Sequence, residues 1–271
     1  MKKASNTKKL PDLQIDEEYK SCIIEKGYLG KKGYTIPKSC LSKEDYEFLK
    51  KDLLLQPQIM GAKMGIQQQT SSFPVYRENT NKIYIPRFYG IERYGLPKKS
   101  ELQQGDDVEL EFVKTLRDYQ EDIIKVYLDH ANTPVAQNDT SYGNGGILEV
   151  PCGFGKTVMA LKIITLLKKK TLIIVHKEFL MNQWIERIQE FVPNARVGKI
   201  QGSTFDIHGK DIVIGMLQSL YDKEYGIGAY DSFGLTIIDE VHRIGSEQFS
   251  RALCKTITPY MLGISATVDR K

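Results

Sequence analysis

From residue 145 onward, short apolar runs rich in β-branched residues alternate with longer amphipathic stretches. Residues 147–150, 171–175, 211–216, 235–239 and 261–265 are nearly uninterrupted apolar runs of strand length, the pattern of strands buried on both faces. Between them, residues 157–167, 178–191 and 247–254 carry apolar positions at helical spacing. A further helical stretch covers 116–129, and a loop rich in Asn, Gly, Thr and Ser covers 132–146. Strands alternating with helices predict an α/β fold, a doubly wound parallel sheet covered on both faces.

The first 105 residues read differently: Lys- and Tyr-rich, broken by Gly and Pro, with short alternating apolar runs. Residues 41–49 predict a helix with Ser42 as N-cap and Asp45 three positions on. Residues 73–77 and 82–87 predict the two strands of a hairpin around Glu78-Asn79-Thr80-Asn81. The expected organisation is a small α+β domain over 1–105 and a larger α/β domain over 106–271.

Charge adds an asymmetry that the formal net value of +4 conceals. Residues 1–105 hold 19 Lys and Arg against 12 Asp and Glu, or +7, whereas 106–271 hold 19 against 22, or −3. A basic N-terminal domain suits a polyanionic partner, although a merely soluble surface accounts for it equally well. Hydrophobic content of 41% and charged content of 27% are ordinary for a globular chain. No apolar run reaches the roughly 20 residues of a membrane span, and the basic start, residues 1–9, lacks the apolar stretch of a signal peptide. An intracellular chain without a membrane anchor is expected. Cys22, Cys40, Cys152 and Cys254 stand far apart, which argues against zinc and against a disulfide framework.

The candidate chemistry lies at the ends of two apolar runs. Val150-Pro151-Cys152-Gly153-Phe154-Gly155-Lys156-Thr157 joins a predicted strand to a predicted helix. Gly153 and Gly155 let the backbone curl so that successive N–H groups and the helix N-terminus face an anion. Lys156 supplies a positive charge for β/γ-phosphates, and the Thr157 hydroxyl suits Mg²⁺. The full phosphate-loop pattern asks for glycine where this chain has Val150. Asp239-Glu240-Val241-His242 ends another apolar run. A carboxylate at the C-terminal end of a parallel strand can hold Mg²⁺ through water, and Glu240 can orient and deprotonate an attacking water. His242 is placed to link this site to a neighbouring segment. Together the two segments point to nucleoside triphosphate hydrolysis.

With these in hand, the rest of 114–271 resembles the first RecA-like lobe of a superfamily 2 helicase, with Asp239-Glu240-Val241-His242 similar to its DExH-type motif II. Leu116-Arg117-Asp118-Tyr119-Gln120 resembles the upstream signature whose Arg117 and Gln120 would serve the adenine end of an ATP pocket. The phosphate loop is similar to the P-C-G-x-G-K-T form of the XPB/UvsW-like branch, which commonly lacks the first glycine. The resemblance implies nucleic-acid contacts from His176, Lys177 and Gln183, from Gln201 and Gly202, and from Gln218 and Ser219. It implies that Ser265-Ala266-Thr267 is motif III, with Ser265, Thr267 and His242 coupling hydrolysis to strand movement. ATP and Mg²⁺ are the implied cofactors; DNA or RNA, with a second RecA-like lobe absent from this chain, the implied partners.

The run Tyr84 to Gly90 resembles the region before the helicase core in large-DNA-virus relatives, including poxvirus-type transcript-release helicases. That likeness implies a role in viral transcription, in the virion or the infected cell. Around it, Phe73, Tyr76, Tyr84, Phe88, Tyr89 and Tyr94 interleave with Arg77, Lys82, Arg87 and Arg93. The aromatics are expected to form a small β core, and the basic residues are the expected phosphate contacts. Because the chain ends at Lys271, just after motif III, it is expected to be part of a longer enzyme and nearly inactive alone. Two other readings stay open: a nucleic-acid-binding module without its own catalysis, and the translocating subunit of a restriction-type enzyme.

Overall fold

Short alternating runs and turn residues give the N-terminal region a small mixed sheet flanked by helices. The computed structural model describes residues 14–56, 72–137, 143–226, 228–241 and 246–266. In chain order come α1 (Glu17–Lys26), β1 (Tyr28–Gly30), β2 (Gly33–Pro37), α2 (Lys43–Asp52), β3 (Leu54–Leu55), β4 (Phe73–Pro74), β5 (Arg77–Glu78), β6 (Lys82–Ile85), α3 (Arg87–Tyr94) and β7 (Lys99–Ser100). The sheet order is β5-β6-β2-β1-β7, and β3 pairs with β4 as a separate ribbon. Ser42 caps α2, its hydroxyl accepting from the Asp45 amide at 3.1 Å. The expected hairpin forms only at its tip, where Arg77–Glu78 pair with β6, while Phe73–Pro74 of the expected first strand pair with β3 instead; at the turn the Asn79 side-chain oxygen accepts from the Asn81 and Lys82 amides at 3.0 and 2.8 Å. Its second strand stops at Ile85, and α3 begins at Arg87. Pro86 between them has no amide hydrogen to give a neighbouring strand.

This module's core contains a buried carboxylate. Asp45 is fully buried and accepts from the Tyr19 hydroxyl at 3.0 Å, the Tyr94 hydroxyl at 2.6 Å and the Arg93 guanidinium at 2.5 Å. Phe73 and Tyr94 are buried, while Tyr76 and Tyr89 pack against the core. Two of the four basic residues expected to meet phosphate face inward. Arg93 belongs to Asp45, and Arg87 is buried at the junction with the second region. Each is desolvated and engaged, so neither contributes to a basic surface.

The second region carries α4 (Asp118–Ala131), β8 (Gly145–Glu149), α5 (Lys156–Leu167), β9 (Thr171–Val175), α6 (Glu178–Phe191), β10 (Val197–Gln201), β11 (Thr204–Phe205), β12 (Ile212–Met216), α7 (Leu217–Asp222), β13 (Leu235–Asp239), α8 (Glu247–Leu253) and β14 (Tyr260–Ser265). Seven strands run in the order β11-β10-β12-β9-β13-β14-β8, all neighbours parallel except the β10–β11 hairpin. Successive side chains on a strand face opposite sides of the sheet. Ile173, Ile212, Ile214, Ile237 and Leu262 therefore pack under α4, α5 and α6, with Ile164, Trp184 and Ile188. Leu172, Ile174, Val213 and Ile238 meet Leu220 of α7 and Phe249 of α8 on the other side. Burial on both faces explains the uninterrupted apolar runs.

The two regions share a packed junction. Arg87 donates from Nη1 to the Thr258 and Pro259 carbonyls, both at 3.0 Å, and its guanidinium lies 4.4 Å from the centre of the Phe88 ring. Burial lowers its pKa to about 10. Val135 and Ile257 of the second region pack into the N-terminal core. The connecting segment is also docked: the Asp106 amide donates to Ser232, and the Lys170 amide to Asp106. Gly105, with φ +70°, lies so close to Gly234 that an added Cβ would sit 2.2 Å from its nitrogen, a backbone approach that only glycine allows.

Candidate active site

Parallel register brings the ends of β8, β14 and β13 to one edge of the sheet. Glu149 is level with Ser265, and Ile264 with Asp239. At this edge the strands hand over to loops and helix N-termini, the position where open α/β sheets bind ligands.

The turn from β8 to α5 contains Gly153 and Gly155, both at φ +84°. A Cβ on Gly155 would meet the Gln120 side-chain nitrogen at 2.5 Å, so both backbone angle and space require glycine there. Gln120 holds the loop, donating from Nε2 to the Phe154 carbonyl at 3.0 Å while its Oε1 accepts from the Arg117 amide at 3.0 Å. The Tyr119 hydroxyl reaches the same Phe154 carbonyl at 3.2 Å and accepts from Arg117 Nη1. The Tyr119 and Phe154 rings lie 5.7 Å apart, and Phe154 is 46% exposed. Gln120 is itself buried. The structure thus joins Arg117 and Gln120 to the phosphate loop, with Tyr119 and Phe154 as an aromatic pair beside it.

Lys156 opens α5 and turns back, donating to the Val150 and Pro151 carbonyls at 3.0 and 3.4 Å. Thr157 follows it, half-buried. Asp239 at the end of β13 is buried, and Trp184 Nε1 donates to its Oδ2 at 2.9 Å. Desolvation pushes the Asp239 carboxyl above the ordinary carboxylate value. The Trp184 hydrogen bond, the Glu240 amide and the charge of Lys156 pull it the other way, while the Glu240 carboxylate adds to the rise. Glu240 is half-buried with φ +57°, a left-handed backbone rare outside glycine and Asn or Asp. Such strain gathers at functional sites. Ser265 is buried beside them, its carbonyl accepting from the Val150 amide at 3.1 Å. His242 and Thr267 lie outside the described residues.

The expected nucleic-acid contacts collect at the same sheet edge, beyond β9, β10 and β12. His176 is half-buried, and Lys177 is exposed at the N-cap of α6, its ammonium 5.7 Å from the Phe179 ring. Gln183 and Gln218 are exposed, and Gln201 donates to Glu178 at 3.3 Å. Gly202 is exposed at the β10–β11 turn, and its amide donates to the Ser219 hydroxyl at 2.8 Å. Ser219 is buried, so its hydroxyl braces that turn instead of facing solvent.

Trp184, the partner of Asp239, had no role of its own in the motif reading. Met181, Trp184 and Ile188 recur at helical spacing and form the inward face of α6. That stripe was the available signal. Among the described residues no cluster of His, Cys, Asp and Glu suits a metal held by protein side chains alone. None of their helices is long and apolar enough to cross a membrane.

Comparison with known proteins identifies the family. The family model described as type III restriction enzyme, res subunit, matches residues 113–270, more than half of the chain. A candidate ATP-dependent RNA helicase of Acanthamoeba polyphaga mimivirus is 32% identical over 240 residues, covering 88% of this chain and 44% of the relative. The DNA 3'-5' translocase XPB2 of Sulfurisphaera tokodaii is 32% identical over 189 residues, covering 68% of this chain and 39% of the relative. The chain thus spans less than half the length of these two relatives. Among solved structures, the Sulfolobus solfataricus SWI2/SNF2 ATPase core in complex with dsDNA aligns with a TM-score of 0.46 at 16% identity, over 61% of this chain and 34% of that one.

Proposed function

The chain belongs to the type III restriction enzyme res-subunit family of superfamily 2, and we propose that it forms the nucleotide-binding lobe of an ATP-driven helicase or translocase. The observation that carries this reading is the meeting of two segments far apart in sequence. The phosphate loop and the Asp239-Glu240 pair stand at the ends of strands separated only by β14, and the charge of Lys156 reaches the buried Asp239 carboxylate.

Each residue then has a task. Lys156 exchanges two neutral carbonyls for phosphate oxygens, which are stronger partners because the bond becomes charge-assisted. Gly153 and Gly155 let the loop amides face the phosphates. Thr157 and Asp239 are the hard oxygen donors that suit Mg²⁺, and a buried carboxylate short of positive charge fits a cation. Bound there, Mg²⁺ would neutralise charge on the β- and γ-phosphates. Glu240 takes the proton of the attacking water. Arg117, Gln120 and the exposed Phe154 ring border the nucleoside side.

Lys177, Gln183, Gln201, Gly202 and Gln218 form the proposed track for a nucleic-acid backbone, with His176 beside it and Ser219 bracing it. One relative carries an RNA-helicase name and another a DNA-translocase name, so DNA and RNA are both to be tried. The viral origin of one relative fits a viral setting, and the proposed role there is in transcription. The test is ATP binding with Mg²⁺ by the wild-type chain and by Lys156→Ala. Binding that fails in the variant supports the assignment. Equal binding by both, or none by the wild type, sinks it.

A further inference from the structure

We infer that Trp184 is the positioning residue of the Asp239 carboxylate and that its indole senses occupancy of the cation site. The inference rests on the nucleotide-binding reading above and goes beyond it. Trp184 is the single tryptophan of the chain, 1% exposed, in the second turn of α6. Side chains on a helix lean toward its N-terminus, which carries the indole to the C-terminal end of β13. There Nε1 donates to Asp239 Oδ2 at 2.9 Å across 55 residues of sequence.

Packing alone does not call for this pair. The core cluster that holds Trp184 also contains Met159, Val175, Met181 and Ile188, all buried and apolar, and packing among them calls for no N–H. An indole brings an N–H that must find an acceptor, and a buried carboxylate is a costly acceptor to place in an apolar core. Both costs are met by one bond. Engaging Oδ2 fixes the carboxylate rotamer and hence the direction of its remaining lone pairs, as outer partners do for metal-binding carboxylates. Trp184 also sits next in sequence to exposed Gln183, on the helix that Lys177 caps. Contact with a nucleic-acid backbone and orientation of the cation ligand therefore share one rigid element.

Trp184→Phe keeps a ring in the core and removes the N–H. Binding of ATPγS to the 271-residue chain is to be measured by calorimetry across a series of Mg²⁺ concentrations. The Mg²⁺ needed for half-maximal binding is expected to rise about 10- to 100-fold. Ile188→Val, a packing change in the same core, is expected to follow the wild-type curve. Superimposable curves for Trp184→Phe and wild type overturn the inference and leave the proposed function standing. Wild-type binding that ignores Mg²⁺ overturns the proposed cation site instead. Should Trp184→Phe fail to fold, wild-type fluorescence decides. Mg²⁺ with ATPγS is expected to shift the Trp184 emission, and Asp239→Asn to abolish that shift. Emission unmoved in the wild type by bound Mg²⁺ and nucleotide overturns the inference.

Discussion

Asp45 in the N-terminal module and Asp239 in the parallel sheet are both buried aspartates, and they differ in what surrounds them. Asp45 is saturated by one guanidinium and two phenolic hydroxyls. Among the described residues, Asp239 accepts from one indole N–H and a backbone amide, and desolvation leaves its carboxyl raised. A buried charge with a full set of partners ties secondary-structure elements together; here α1, α2 and α3 meet at Asp45. A buried charge left short of donors is costly to keep ionised. It persists where an arriving cation completes the set. The first carboxylate belongs to the fold; the second is the one proposed to meet a ligand.

The largest expected effect breaks the functional side. In a full-length enzyme that carries this lobe, Glu240→Gln keeps the shape of the site and removes its proposed base, so ATP turnover should fall by about 10²- to 10⁴-fold while nucleotide binding survives. Unchanged turnover would return Glu240 to a structural role. Next comes the structural side. Asp45→Asn strands Arg93 and should cost about 3–5 kcal/mol, the range for breaking a buried ion pair, measured by denaturant unfolding, with the Mg²⁺ dependence of nucleotide binding unaltered. Asp239→Asn should show the reverse: lost Mg²⁺ dependence and little loss of stability.

The pH dependence sharpens the same contrast. Because the folded pKa of Asp239 is raised, the folded state holds that proton more tightly than the unfolded chain. Its contribution is therefore fully present below the ordinary carboxylate range and is lost as pH rises through the raised value. Unfolding free energy compared between wild type and Asp239→Asn should diverge in that direction, and Mg²⁺ with nucleotide should reverse it.

A smaller effect concerns the junction. Arg87→Ala leaves the Thr258 and Pro259 carbonyls unpaired, at about 1–3 kcal/mol for each buried group. It should split thermal unfolding into two transitions, read by calorimetry. The smallest effect is on the nucleic-acid track. Lys177→Ala should weaken binding evenly across sequences and reduce the salt slope by about one, whereas Gln183→Ala should leave that slope alone.

Much of the larger region was legible along the chain. Strands at Thr171–Val175 and Leu235–Asp239 and the helix Glu178–Phe191 stand where their patterns put them, because burial on both faces writes a continuous apolar run. The Ser42 cap was legible for a local reason, since its partner is three residues away. Less was legible in the N-terminal module. Helices α1 and α3 left weak patterns there, as did the β10–β11 hairpin in the larger region, and Arg87 and Arg93 looked like surface charge. Their partners, the Thr258 and Pro259 carbonyls and Asp45, are distant in sequence, and a charge does not announce which way it faces.

By itself, then, the sequence determined the alternation of strand and helix, the phosphate loop and the acidic pair, since spacing and residue type suffice for these. Only the tertiary structure decided which strands are neighbours, and so that Lys156 and Asp239 share one edge. It alone decided that Trp184 donates to Asp239 and that Ser219 braces a turn. Such assignments depend on distances across the fold, and hydrogen bonds and desolvation act over a few ångströms of space, whatever the separation along the chain.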